Sequence, residues 1–173
     1  MGEAAYLVEI TNLWTADLTS EDVLQFAEGI LLGESNCIAN LSNLAALLGQ
    51  AFRRINWAGF YLREDATQDL VLGPFFGRPA CTRITPPKGV IGKAVQMAQT
   101  LVVDNVLDFP GHIACDAASR SEIVVPVIVN GKIVLVIDVD SPEYGRFRSD
   151  DQLVLEMLAD KIAQAWPAMT WYQ

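Results

Sequence analysis

Cys115 lies in the stretch Gly111-His-Ile-Ala-Cys-Asp-Ala-Ala-Ser119, in which small residues predominate. A thiol in such a loop is accessible, leaves room for a small ligand, and becomes a nucleophile as its thiolate. A buried, inert cysteine is the other reading of the same residue, and the local sequence leaves both open. Cys81 sits in a second loop-like stretch, Pro79-Ala-Cys-Thr-Arg83. Two loop thiols can close a reversible disulfide only if their Cα atoms come within about 7 Å. Two unrelated thiols remain the alternative at this point. Cys37 falls on the apolar stripe of a helix and is expected in the core.

The acids form a second group. Asp138 and Asp140 are two apart on an apolar strand, so period two puts both carboxylates on one face. Like charges there oppose one another and resist desolvation, which points to a polar pocket; a strand simply ending at water is the alternative. Glu122 opens the preceding strand. Regular pairing about Asn130-Gly131 sets 123 opposite 138 and 121 opposite 140. Glu122 is then expected on the opposite face, unless a bulge or the strand end re-aims it. Trp57 and Tyr61, four apart on one strand, share a face and read first as core, second as a ligand wall. His112 is the single histidine, and cysteine separations of 44 and 34 residues match no zinc motif, so no metal is expected. Gly77, Gly89 and Gly92 form neither a dinucleotide fingerprint nor a P-loop. No serine sits in a nucleophile elbow.

These residues need positioning elements. Thr19 or Ser20 can cap a helix running to about Leu32 and stopped by Gly33. A second helix is expected over about 35–53, with Cys37, Leu41, Leu44, Ala45, Leu48 and Phe52 on one face. Ile55–Leu62 and Leu70–Phe75 read as antiparallel strands, and Gly77–Gly89 as a loop. Val90–Ala98 reads as a short helix, Leu101–Asp104 as a short strand, and Asp108–Ser121 as a second long loop. Asn130-Gly131 between Glu122–Val129 and Lys132–Asp140 is a strong hairpin signal, because both turn positions need positive φ. Ser149-Asp-Asp-Gln152 fits a capping box opening a last helix that Pro167 ends. Hairpin-linked strands with helices at both ends predict an α+β domain with an antiparallel sheet between helices.

The whole chain agrees with a folded domain. It has 173 residues, 51% of them hydrophobic and 19% charged, and a net charge of −9. That composition excludes a disordered chain. No apolar run approaches the roughly 18 residues of a membrane span. The negative charge argues against nucleic acid as a partner. The N-terminus carries no signal-like segment, so a cytoplasmic location is expected. The expected organisation is an N-terminal extension over 1–18, one domain over 19–167, and a tail over 168–173.

Several segments together carry a resemblance. Ile55-Asn-Trp-Ala-Gly-Phe-Tyr-Leu62, Leu72-Gly-Pro-Phe75, Ala80-Cys81, Asp104-Asn-Val106, Gly111–Ser119, Ser121-Glu-Ile-Val124, Asp138-Val-Asp-Ser141 and Gly145-Arg-Phe147 are similar to the free methionine-R-sulfoxide reductases. These are single-domain GAF proteins. The resemblance implies a six-stranded antiparallel sheet with helices on both sides. It implies reduction of free methionine-R-sulfoxide to methionine, recycled by thioredoxin, with no cofactor. By the same resemblance Cys115 is the nucleophile that becomes a sulfenic acid and Cys81 the resolving thiol. Glu122, Asp138 and Asp140 match the substrate-pocket acids, and Trp57 and Tyr61 match aromatics near the substrate's methyl end. One departure stands out: Gly89-Val-Ile-Gly92 carries Ile91 where the family commonly has a third cysteine. Turnover is then expected to depend on Cys81 and Cys115 alone. Nearby carboxylates would raise the pKa of the Cys115 thiol. Either the substrate's ammonium or a cluster of backbone N–H groups must offset them. A non-catalytic GAF sensor of small molecules is the alternative, and a homodimer is left open.

Overall fold

The computed structural model describes residues 18–113 and 115–171. The expected extension falls almost wholly on residues 1–17, outside the described ones. Helix α1 spans Ser20–Gly33 and α2 spans Cys37–Ala51. Strands β1 (Trp57–Arg63), β2 (Leu70–Gly77) and β3 (Arg83–Ile84) follow, then α3 (Gly89–Met97) and β4 (Leu101–Val103). A short 3-10 turn, Val106–Asp108, precedes β5 (Ser121–Val129), β6 (Lys132–Ser141) and α4 (Ser149–Ala165). The strands form one six-stranded sheet in the order β3-β2-β1-β6-β5-β4, with every neighbouring pair antiparallel.

Local chemistry explains most boundaries. Thr19 caps α1: its hydroxyl accepts from the Asp22 N–H at 3.2 Å, and the Asp22 carboxylate accepts from the Thr19 N–H at 2.8 Å. Asn36 caps α2 by accepting from the Ala39 N–H at 3.0 Å. In α4 the cap lies one residue earlier than expected. Arg148 is the cap, and its N–H donates to the Asp151 carboxylate at 2.7 Å. The acid of the first turn therefore does the work assigned to Gln152. Asn130 and Gly131 adopt φ of 50° and 76°, the left-handed turn that joins β5 to β6. The chain end returns to the start of α2, where the Cys37 N–H donates to the Thr170 carbonyl at 2.8 Å.

Strand β3 was not expected; its two residues fall inside the stretch read as a loop. They pair with Leu70 and Val71 of β2. A two-residue strand between proline-rich segments is too short for a period-two pattern to show.

Alternation splits the sheet into two faces. On one, Ala58, Phe60, Ile123, Val125, Val127, Leu135, Ile137 and Val139 pack with α1, α2 and α4, and Cys37 is fully buried there. On the other, Trp57, Tyr61, Val124 and Val136 pack with α3 and with Leu70 and Ile84. The loops that carry Cys81 and Cys115 cross this second face.

Candidate active site

The second face holds a cleft lined by Trp57, Tyr61, Cys115, Glu122, Asp138 and Asp140, with α3 on its far side. Three strands supply its floor. Trp57 of β1 stands opposite Asp140 of β6, and Gly59 stands opposite Asp138. Glu122 of β5 also stands opposite Asp140, and Val124 opposite Asp138. All three carboxylates therefore share one face.

This corrects the register expected for Glu122. The hairpin starts with Val129 opposite Lys132 and Ile128 opposite Ile133, as a two-residue turn dictates. The next pair is Val127 with Leu135, so Val134 is an extra residue on β6. A one-residue bulge moves every later side chain of one strand across the sheet relative to its partner. Without it Glu122 would face the helices.

The acids are costly where they sit. Glu122 is 6% exposed and Asp138 4%. Burial raises both pKa values well above the ordinary carboxylate range. The charge of Asp140 pushes each further in the same direction, and the two groups act on each other's ionisation. Two buried carboxylates in contact do not both ionise, so this pair holds a proton at neutral pH. Asp138 Oδ1 is buried and has no hydrogen-bond partner among the described residues. Asp140 retains partial exposure. Burial raises its pKa to about 7, against a hydrogen bond from Ser119 that favours the ionised form.

Cys81 and Cys115 are joined in a disulfide, with Cα atoms 5.4 Å apart. Of the two readings that the cysteines left open, the structure holds the paired one. Both are partly exposed. Cys37 is fully buried, and burial pushes its thiol up to about 11. It lies in the other core.

The aromatic pair serves both core and wall. Trp57 is 2% exposed and stacks on Phe75, with ring centroids 5.5 Å apart. Its indole N–H donates to the Arg78 carbonyl at 3.2 Å. The Tyr61 hydroxyl donates to the Cys81 carbonyl at 2.9 Å. Both rings thus tether the loop that carries Cys81. Gly59 lies between them on the strand. A Cβ there would stand 2.7 Å from the tip of the Trp57 ring and 2.9 Å from the Phe75 Cα.

The far wall is electropositive. The first turn of α3, Gly89–Ile91, and Lys88 before it line the cleft, which presents the positive end of a helix dipole. His112 also lines it, and burial lowers its pKa, so the ring is neutral at pH 7. Ile91, in the first turn of α3, is 4% exposed and lines the cleft.

Sequence reasoning singled out neither Asn56 nor Ser119 and Asp116 as site residues. The Asn56 amide donates to Asp116 at 3.0 Å and to the Ser119 hydroxyl at 3.0 Å. These contacts span 60 and 63 residues, and no local spacing announces them. Among the described residues no cluster of three or more His, Cys, Asp or Glu is placed to hold a metal ion. No helix among them is long and apolar enough to cross a membrane.

Comparison with known proteins agrees with this arrangement. The GAF domain family matches residues 39–166. The free methionine-R-sulfoxide reductase of Escherichia coli is 48% identical over 133 residues, which cover 77% of this chain and 79% of that protein. That of Saccharomyces cerevisiae is 42% identical over 159 residues, 86% of this chain and 88% of the relative. The solved structure of the Neisseria meningitidis enzyme in complex with its substrate has a TM-score of 0.83 at 42% identity and covers 86% of this chain and 89% of its own. A profile match over most of the chain, relatives above 40% identity along most of their length, and a cleft floored by acids beneath paired cysteines lead to one assignment: the chain belongs to the GAF domain family and, within it, to the free methionine-R-sulfoxide reductases.

Proposed function

We propose that this protein reduces free methionine-R-sulfoxide to methionine, with Cys115 as nucleophile and Cys81 as resolving thiol. The observation that carries the reading is the Cys81–Cys115 disulfide at the mouth of a cleft floored by three carboxylates. In the reduced protein the Cys115 thiolate attacks the sulfoxide sulfur. The oxygen passes to the cysteine, giving methionine and a sulfenic acid on Cys115. The Cys81 thiol attacks that sulfur and expels water, closing the disulfide. A dithiol reductant such as thioredoxin returns both thiols, supplying two electrons and two protons.

The carboxylates divide two tasks. The Glu122–Asp138 pair keeps a proton in the cleft and can hydrogen-bond the sulfoxide oxygen as it gains negative charge. Asp140, the most easily ionised of the three, reads the substrate's ammonium. Lys88 and the first turn of α3 suit its carboxylate and offset the acids around the Cys115 thiol. Trp57 and Tyr61 give the thioether end an apolar wall. A sensor that only binds small molecules needs no thiol pair across its cleft.

The test is turnover of free methionine-R-sulfoxide with dithiothreitol, then with thioredoxin, in the parent and in Cys115→Ser. The substitution should abolish turnover, because a hydroxyl without an adjacent base is a poor nucleophile. Near-normal turnover by the variant would remove Cys115 from the mechanism.

A further inference from the structure

Asn56 stands just before β1, at the edge of the cleft floor. Its backbone N–H donates to the Asp140 carbonyl at 3.0 Å, which fixes its place relative to β6. Its side-chain amide nitrogen makes two hydrogen bonds, to Asp116 Oδ2 and to Ser119 Oγ, each at 3.0 Å. Asp116 follows Cys115 directly. Its carboxylate also accepts from the Ala118 N–H at 2.9 Å, and the Ser119 N–H donates to the Asp116 carbonyl at 3.2 Å. The segment after the nucleophile is thus a turn pinned to the sheet by one amide. Asn56 Oδ1 is buried and has no hydrogen-bond partner among the described residues. A buried amide that leaves its oxygen unsatisfied calls for a reason. The reason lies on its nitrogen side.

We propose that Asn56 is a positioning residue that orients the Ser119 hydroxyl as a donor to Asp140, so that a chain of donors running from Asn56 through Ser119 holds Asp140 as the ionised reader of the substrate's ammonium. An amide nitrogen only donates, and a hydroxyl has one hydrogen. Once Ser119 Oγ accepts from Asn56, its own hydrogen is left for the carboxylate of Asp140, which lines the same cleft and whose ionised form Ser119 favours. Ser119 is 5% exposed, so little water competes for that bond. The same amide holds the Cys115 turn, which couples placement of the nucleophile to the state of the third carboxylate. This inference rests on the reductase reading.

The groups that act on Asp140 come from every side. Asp138 stands on its own strand, Glu122 on β5, Tyr61 on β1, and Asp116 on the cysteine loop. Lys88 and His112 line the same cleft. Burial and the charge of Asp116 favour a protonated Asp140. Ser119 is the hydrogen bond that opposes them.

The experiment compares the pH dependence of kcat and KM for free methionine-R-sulfoxide, with dithiothreitol as reductant, in the parent, Ser119→Ala, Ser119→Thr and Asn56→Ala. In the parent, KM falls as pH rises through about 7, as Asp140 ionises. In Ser119→Ala that limb moves up by about one pH unit, which raises KM at pH 7 roughly fivefold while kcat changes little. Ser119→Thr restores the limb, because it keeps the hydroxyl. Asn56→Ala moves the limb the same way and also lowers kcat, because the Cys115 turn loses its anchor. A limb that stays in place in either alanine variant, whatever its activity, overturns the inference and leaves Asn56 as structural. If Asn56→Ala does not fold, Ser119→Ala, which removes one oxygen, decides alone. A parent protein inactive on free methionine-R-sulfoxide removes the reductase reading itself, an outcome distinct from an active parent with an immobile limb.

Discussion

Replacing Asp140 by Asn removes one negative charge from the cleft and keeps the shape of the side chain. The reading of Asp140 as the ammonium contact makes a numerical claim about that change. A charge-assisted hydrogen bond contributes about 1.5–3 kcal/mol. Its loss lowers kcat/KM by about tenfold to about a hundredfold. Asp140 is partly exposed and its pKa is near 7, so at neutral pH only about half of the molecules carry the charge. Near pH 8 the acid is mostly ionised and the substrate still holds its ammonium, so the full effect is read there.

The assay measures kcat/KM for free methionine-R-sulfoxide and for its N-acetyl derivative, in the parent and in Asp140→Asn. The acetylated compound has no ammonium. It should be a poor substrate for the parent and lose little more in the variant. The ratio of the two efficiencies should therefore collapse by most of the tenfold to hundredfold factor. The pH dependence adds a second reading: the parent's KM for the free substrate falls as pH rises through about 7, and the variant's does not. An unchanged ratio would mean that Asp140 does not read the amino group. A ratio unchanged beside a lowered kcat for both substrates would shift Asp140 to activation of the sulfoxide.

Three further outcomes follow from the same geometry. Cys81→Ser should complete one turnover and then stall with thioredoxin as reductant, because no other cleft thiol can resolve the sulfenic acid; a rapid-quench burst without steady state shows it, and normal recycling refutes the two-cysteine scheme. Gly59→Ala places a Cβ 2.9 Å from the Phe75 Cα and 2.7 Å from the Trp57 ring. It should cost about 1–3 kcal/mol of stability by overpacking and raise KM as Trp57 is displaced, read by thermal denaturation and kinetics together. The third is stability against pH. Asp140 titrates at 3.8 when unperturbed and at about 7 in the fold, so the folded chain binds more protons between those values. The stability associated with that proton is complete below about 4 and is lost as pH rises through about 7. Asp138→Asn and Glu122→Gln relieve the same burden, so both should raise Tm at pH 8 more than at pH 5; an equal change at the two pH values would count against a buried protonated pair.

Much of this fold could be read from residue order because its signals are local. The left-handed pair Asn130-Gly131, the apolar stripe of α2 and the Thr19 cap are each written within a few residues. The α4 cap moved by one residue because Asp150 and Asp151 both suit a first turn, and only tertiary placement shows that Asp151 takes the cap. Arg146 holds the Asp151 carboxylate at 2.8 Å from outside the helix. Strand β3 escaped because two residues have no period. The Asn56 contacts escaped because the partners come together only when the cysteine loop folds back over β1.

Glu122 shows where such reading stops and why that matters for chemistry. Counting outward from the turn is sound for Ile128 and Val129, and it fails at Val127. The bulged segment itself carries no mark of the failure, because Ile133-Val134-Leu135 is uniformly apolar and has no glycine or proline. Yet this one residue sets the character of the cleft. It turns Glu122 from the helix-covered core to the face of Asp138 and Asp140. There it meets Asp138 in a pair that burial forces to keep a proton, and it leaves Asp140 as the carboxylate most able to ionise. A regular hairpin would leave two acids at the end of a strand, with no buried partner to hold the proton. The irregularity therefore belongs to the active site as much as any side chain does, and its effect is to divide one cluster of like groups into a proton donor and a charge reader.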